Sequence, residues 1–349
     1  MRKVLPLIWK YLLIVATACA LALVIARTSA GAAVVPAVEY RSAGPYNFTV
    51  VEAAWQDAVR NRGVPVRIYS PALPSANTSE KLRFPVVLFS HGLGGSRQGG
   101  RLWAEHWSRH GYVVVAMQHP GSDEALWQGR APGEVVSSMK AGMTVSNLGL
   151  RVGDVRFVID EVSRRKSIGE PSFANADPGR LGMSGHSFGA QTTLAVTGQK
   201  SANLSGQSGL DLRITAAIAL SPNARNKQRP ERQFGDIRLP FFSITGTKDG
   251  SILGDGTQYQ DRIVPYRNMP PGGKYLVVFD EGDHMVFGGH DLGSKRGDAA
   301  RDRAIQELVK AGTLAFWDAT LKGDEVAGAW LAAGGFASQL GTRDTFASK

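Results

Sequence analysis

Three residues far apart in the chain have the types and settings for chemistry. They are Ser187 in Gly185-His186-Ser187-Phe188-Gly189, Asp249 in Thr247-Lys248-Asp249-Gly250, and His284 in Glu281-Gly282-Asp283-His284. A serine hydroxyl is a poor nucleophile until a base takes its proton, and an imidazole serves as that base when its other nitrogen is held. In such a set His284 removes the proton from Ser187 as its oxygen attacks an acyl carbon, then returns it to the leaving group. Asp249 fixes the tautomer and stabilises the charged ring. The glycines have a steric purpose: the serine must sit in an unfavourable backbone conformation to lift its oxygen, and side chains two positions either side would strike the neighbouring strand and helix.

Such a turn needs a strand before it and a helix after it. Short apolar runs at Val86 to Phe89, Tyr112 to Met117, Leu181 to Met183, Ile214 to Leu220, Phe241 to Thr245 and Tyr275 to Phe279 predict strands buried on both faces. Between them lie helical spacings such as Leu148, Val152, Val155, Ile159 and Val162, with Arg151, Asp154, Arg156, Asp160 and Glu161 on other faces. This alternation predicts an α/β fold with a mostly parallel central sheet and helices on both faces. Open sheets of that kind carry their sites at the carboxyl ends of strands, where all three residues fall, and the chain order Ser187, Asp249, His284 is that of an α/β-hydrolase.

Other residues compete for the roles. His290 is a second base, six residues beyond His284 on the loop 288–293, and Asp255, Asp261, Asp280 and Asp283 are alternative acids. The oxyanion that forms on the acyl oxygen needs backbone N–H donors, expected from Phe188, next to the nucleophile, and from Leu93 in Ser90-His91-Gly92-Leu93-Gly94-Gly95. His91 is expected to order that loop rather than move a proton.

Leu88-Phe89-Ser90-His91-Gly92-Leu93-Gly94-Gly95, Gln118-His119-Pro120-Gly121-Ser122, the run 151–160 and Gly185-His186-Ser187-Phe188-Gly189, with Arg62-Gly63-Val64-Pro65-Val66-Arg67 nearer the start, resemble the platelet-activating-factor acetylhydrolase and predicted dienelactone hydrolase branch of the α/β-hydrolases. The resemblance spans roughly residues 38 to 320. It implies hydrolysis of small or lipid-like carboxylic esters through an acyl-serine, with oxyanion donors at Leu93 and Phe188 and neither metal nor cofactor. True dienelactone hydrolases use a cysteine; the single cysteine here is Cys19, far from these motifs. A thioester or an amide would suit the same three residues, and a binding module of this fold would be expected to lack one of them.

At 349 residues and 43% hydrophobic content, residues 33–349 can form a single domain. Residues 1–32 differ in kind: Arg2 and Lys3 precede the apolar run Tyr11 to Ile25, and small residues follow at Ser29-Ala30-Gly31-Ala32. This reads as a signal peptide for export to the periplasm or medium, with an uncleaved membrane anchor or lipid attachment at Cys19 as alternatives. Cleavage would lower the formal charge from +10 to +6, an ordinary basic balance. The cluster Arg225, Lys227, Arg229, Arg232 and Arg238 has no aromatic interleaving, which argues against a nucleic-acid partner. The segment 121–146, with Trp127, Met139 and Met143, is either a lid or a packed excursion. Trp103 and Trp107 are expected in the core, and beyond a C-terminal helix through Ile305, Leu308, Gly312 and Phe316 a further helix and a loose tail are expected.

Overall fold

Branched side chains suit a pleated backbone buried on both sides, and the runs richest in them form the centre of the sheet. In the computed structural model, which describes residues 39–73, 82–200, 209–224, 228–290 and 298–349, β3 (Phe84–Ser90) and β4 (Val113–Met117) are buried at every position. With β1 (Asn47–Asp57), β2 (Arg62–Ala72), β5 (Ala176–His186), β6 (Ile214–Leu220), β7 (Phe241–Lys248), β8 (Lys274–Asp283) and β9 (Thr345–Ser348) they make one sheet in the order β1-β2-β4-β3-β5-β6-β7-β8-β9. The pairs from β4 through β8 are parallel; β1 with β2, β2 with β4, and β8 with β9 are antiparallel. The expected α/β-hydrolase architecture is therefore present.

The helices are α1 (Arg101–Arg109), α2 (Pro132–Gly142), α3 (Val145–Ser167), α4 (Phe188–Val196), α5 (Pro230–Phe234), α6 (Tyr259–Arg262), α7 (Val264–Asn268), α8 (Ala299–Trp317) and α9 (Glu325–Ala332). Strand alternation assigns them to two faces. Leu181 and Met183 of β5 join a core with Val152, Val155, Val158, Ile159 and Val162 of α3. Between them Gly182 faces the other way, where an added Cβ would come within 2.8 Å of the Trp317 ring of α8. Burying each such valine contributes about 1.5–3 kcal/mol. Trp103 and Trp107 are fully buried as expected; Trp107 Nε1 donates to Thr313 Oγ1 (3.0 Å) and meets Trp317 edge-on.

Three features differ from the sequence expectation. Arg151 and Asp154 are fully buried on the face of α3 that carries the valines. They stand three and four positions from Leu148 and Val158, so helical geometry puts them in the apolar stripe. The chain end is no loose tail: β9 pairs with β8, and Phe346 stacks on Tyr275 with ring centroids 6.1 Å apart. The hairpin β1–β2 was not anticipated; Pro65 obscures the alternation Val64, Val66, Ile68 that buries one face of β2.

The expected signal or anchor, residues 1–32 with Cys19, lies outside the described residues, as do Arg225 and Lys227 of the basic cluster. The rest of that cluster, Arg229, Arg232 and Arg238, is exposed.

Candidate active site

β5 runs straight into Ser187, whose backbone sits at φ 56°, ψ −113°, before α4 begins at Phe188. A non-glycine residue holds such a conformation only when its surroundings enforce it. The enforcing contacts are backbone. A Cβ on Gly189 would lie 1.8 Å from the Ser90 carbonyl oxygen, and one on Gly185 would lie 2.4 Å from the Gly189 oxygen. The two glycines thus let β5 and α4 close against the end of β3, with Ser187 at the crest.

Asp249 follows β7 and is fully buried, and His284 directly follows β8. His284 Nε2 is 2.9 Å from Ser187 Oγ, and His284 Nδ1 is 2.7 Å from Asp249 Oδ1. Thr245 Oγ1 donates to the other carboxylate oxygen at 2.7 Å. Burial by itself would raise the Asp249 pKa, but the hydrogen bond from His284 and the charges of His284 and Arg262 outweigh it and hold the carboxyl below its ordinary value.

The competing groups are engaged elsewhere. Asp255 accepts from Thr257 N–H, Asp261 caps Gln258, Asp280 pairs with Arg343, and Asp283 accepts the N–H groups of Met285 and Val286. His290 is solvent-exposed at the rim of the cavity that holds Ser187.

Among the described residues the N–H groups of Leu93 and Phe188 have no protein acceptor, and both residues line that cavity. Phe188 N–H is free because it opens a helix, whose first donors have no partner within it. Leu93 is held by a buried polar network. Arg151 Nη1 donates to His91 O (2.7 Å), its Nε donates to Ser122 Oγ (2.8 Å), and its guanidinium carbon stands 4.4 Å from the centre of the Phe188 ring. Gly94 N–H in turn donates to Ser122 O at 3.0 Å. Burial pushes the Arg151 guanidinium down to about 9, which still leaves it charged at neutral pH.

His91 Nε2 accepts the His119 N–H (3.0 Å), so His91 Nδ1 carries the proton and donates to Gly92 O (2.5 Å). Both ring nitrogens of His91 are thereby occupied in ordering the loop. His119 Nδ1 lies 3.0 Å from Asp154 Oδ2, and Arg62 and Arg60 reach Asp154 Oδ1 at 2.7 and 2.9 Å. Burial and the nearby Arg151 charge lower His119 to about 4, so the neutral ring donates to the carboxylate.

Asp154 is the buried anion that pairs with the half-buried Arg62 and Arg60 and offsets the charge of the fully buried Arg151. Burial opposes its ionisation, yet the hydrogen bonds from His119 and Arg62 hold it well below the usual carboxylate range. Asp154→Asn is expected to cost about 3–5 kcal/mol, because it leaves buried guanidinium charge without a partner. The pH dependence has a definite sign. With the folded pKa depressed, the Asp154 contribution is whole above the unfolded value of about 4 and is lost as pH falls below it. Urea denaturation between about pH 3 and 7 should show a shallower acid-side decline in the variant.

The cavity has a volume of about 290 Å³. Leu93, Met139, Met143, Leu253 and Met285 supply apolar walls, and Gln191, Asn223, Thr257 and Arg262 a polar one. The segment 121–146 is stapled to the loop that carries Leu93: Trp127 Nε1 donates to Gly94 O (2.7 Å) and Glu124 N–H to Gly95 O (2.9 Å). It serves as a wall of the cavity, with Met139 and Met143 as its contribution.

Several supporting residues escaped the sequence reading. His186 Nε2 donates to His284 O (2.9 Å) and its ring lies 4.7 Å from the His284 ring, so the residue before Ser187 ties down the loop that carries His284. Burial first, and the neighbouring His284 next, keep His186 neutral. The position alone gave no sign of this. Arg151 and Asp154 did carry a signal, since charges inside an apolar helical stripe need buried partners.

A family model described as platelet-activating factor acetylhydrolase, isoform II, matches residues 31–128. The matched stretch includes β1 to β4 and Leu93, and ends before Ser187, Asp249 and His284. No curated protein matches the chain. The chain has the α/β-hydrolase fold and resembles the platelet-activating-factor acetylhydrolase branch, a likeness that supports an ester-acting hydrolase of esterase or acetylhydrolase type.

Proposed function

We propose, for an α/β-hydrolase with this likeness, that the protein is a serine esterase that cleaves small or lipid-like carboxylic esters through an acyl-enzyme. The observation that carries the proposal is the continuous hydrogen-bonded line from Ser187 Oγ through His284 to Asp249, opening onto a cavity where the N–H groups of Leu93 and Phe188 have no acceptor among the described residues.

In the first half-reaction Ser187 Oγ bonds to the acyl carbon while His284 Nε2 takes its proton, and the carbonyl electrons move onto the oxygen facing Leu93 and Phe188 N–H. The carbonyl re-forms as the ester C–O bond breaks, and His284 gives the proton to the departing alkoxide. Water then repeats the sequence on the acyl-serine, releasing the acid and restoring Ser187. The apolar walls favour an alkyl or acyl chain. The volume of about 290 Å³ lies near the lower end for small-molecule pockets, about 300–1,000 Å³, which suits short and medium esters.

The test is turnover of p-nitrophenyl acetate, butyrate and octanoate together with labelling by a fluorophosphonate. The expected result is hydrolysis of the shorter esters and one label per chain, mapped to the peptide containing Ser187. Folded protein that cleaves none of them and takes no label would overturn the proposal.

A further inference from the structure

Arg262, at the end of α6, is 4% exposed and lines the cavity beside Asp249. Its Nε stands 2.7 Å from Asp249 Oδ1, the oxygen that also meets His284 Nδ1, and donates to the Asp249 backbone oxygen at 2.7 Å. Its Nη groups donate to Ser221 O (3.0 Å) and Gly250 O (3.2 Å). Backbone tethering of this kind needs only neutral donors, whereas burying a guanidinium costs several kcal/mol unless an anion compensates. Here the compensating anion is the carboxylate that serves His284.

We propose that Arg262 is a positioning residue for the reaction, whose fixed charge on Asp249 Oδ1 keeps the Asp249–His284 pair in its base form at acidic pH. The inference rests on the esterase reading above. A cation beside the pair opposes a further proton on either member, so the base stays free at lower pH, at some loss of stabilisation for the charged imidazole.

The charged and titratable surroundings are few. Asp255 and Asp261 act on Arg262 and partly offset its field. His186, from the end of β5, is held neutral by burial. Asp283 is turned to the N–H groups of Met285 and Val286, and His290 sits at the rim.

The experiment is the pH profile of kcat/KM for a p-nitrophenyl ester in the wild type, Arg262→Gln and Arg262→Lys, with Ser187→Ala as control. The acid limb reports the free enzyme's base. Its midpoint should rise by about one pH unit in Arg262→Gln and stay within about 0.3 unit of wild type in Arg262→Lys. A scaffold role alone would lower kcat in both variants with the midpoint unmoved, and that result overturns the inference.

Should Arg262→Gln fail to fold, Asp255→Asn supplies the same test at an exposed position. Asparagine keeps the acceptor for Thr257 N–H and removes the charge that offsets Arg262, so the midpoint should fall by a few tenths of a unit. An unmoved midpoint there also overturns the inference. Turnover that survives in Ser187→Ala would instead sink the esterase reading itself, so the two failures are distinguishable.

Discussion

Replacing Ser187 by alanine is expected to lower kcat for a p-nitrophenyl ester by about 10⁵–10⁶-fold with little change in KM. On the proposed mechanism the hydroxyl is the atom that bonds to the acyl carbon, and it stands 2.9 Å from His284 Nε2. Binding contacts would survive, because the cavity walls come from Leu93, Met139, Met143, Leu253 and Met285 rather than from the serine. Residual acceleration would come from the Leu93 and Phe188 N–H groups acting on water attack, since donors to an oxyanion work whatever the nucleophile. Stability should change little: the strain at φ 56° is imposed by the Ser90 and Gly189 backbone and persists in alanine. The measurement is steady-state turnover, with active-site titration to exclude traces of wild type. A variant retaining more than about 1% of wild-type kcat would place the nucleophile elsewhere.

The residues nominated from their motifs were legible because the geometry of their surroundings is written locally. Gly185 and Gly189 announce a close backbone approach around Ser187, and strand ends are visible as apolar runs that stop at polar loops. Burial on both faces made the parallel strands conspicuous, whereas β1 is exposed along most of its length and β9 is four residues long. Neither edge strand leaves a strong hydrophobic pattern. The supporting polar groups were hidden for another reason. Arg262 lies 13 residues from Asp249 and Arg151 lies 60 from His91, so their roles exist only once the chain has folded. Helical spacing places the α3 charges Arg151 and Asp154 in the apolar stripe, but it does not show which distant groups they meet there.

Asp249→Asn separates two ways in which a carboxylate serves a catalytic histidine. An amide offers one acceptor atom and one donor group, and the surroundings dictate their orientation. The Oδ1 position faces His284 Nδ1 and Arg262 Nε, both donors, whereas the Oδ2 position faces the Thr245 hydroxyl, which can accept as well as donate. The carbonyl oxygen should therefore take the Oδ1 position and the NH₂ group should face Thr245. His284 then keeps its useful tautomer, and the variant loses charge alone. The expected fall in kcat is about 10²–10³-fold, the range for losing one preorganised electrostatic partner of a transition state. Tautomer reversal would bring a fall of about 10⁴. Stability should drop as well, by about 3 kcal/mol, because Arg262 is left buried without its anion. Turnover and urea denaturation measure the two effects separately. A fall of 10⁴ or more in a stably folded variant would mean that the amide has flipped and that Arg262 does not govern the oxygen facing His284. Near-normal turnover would move the acid to another carboxylate.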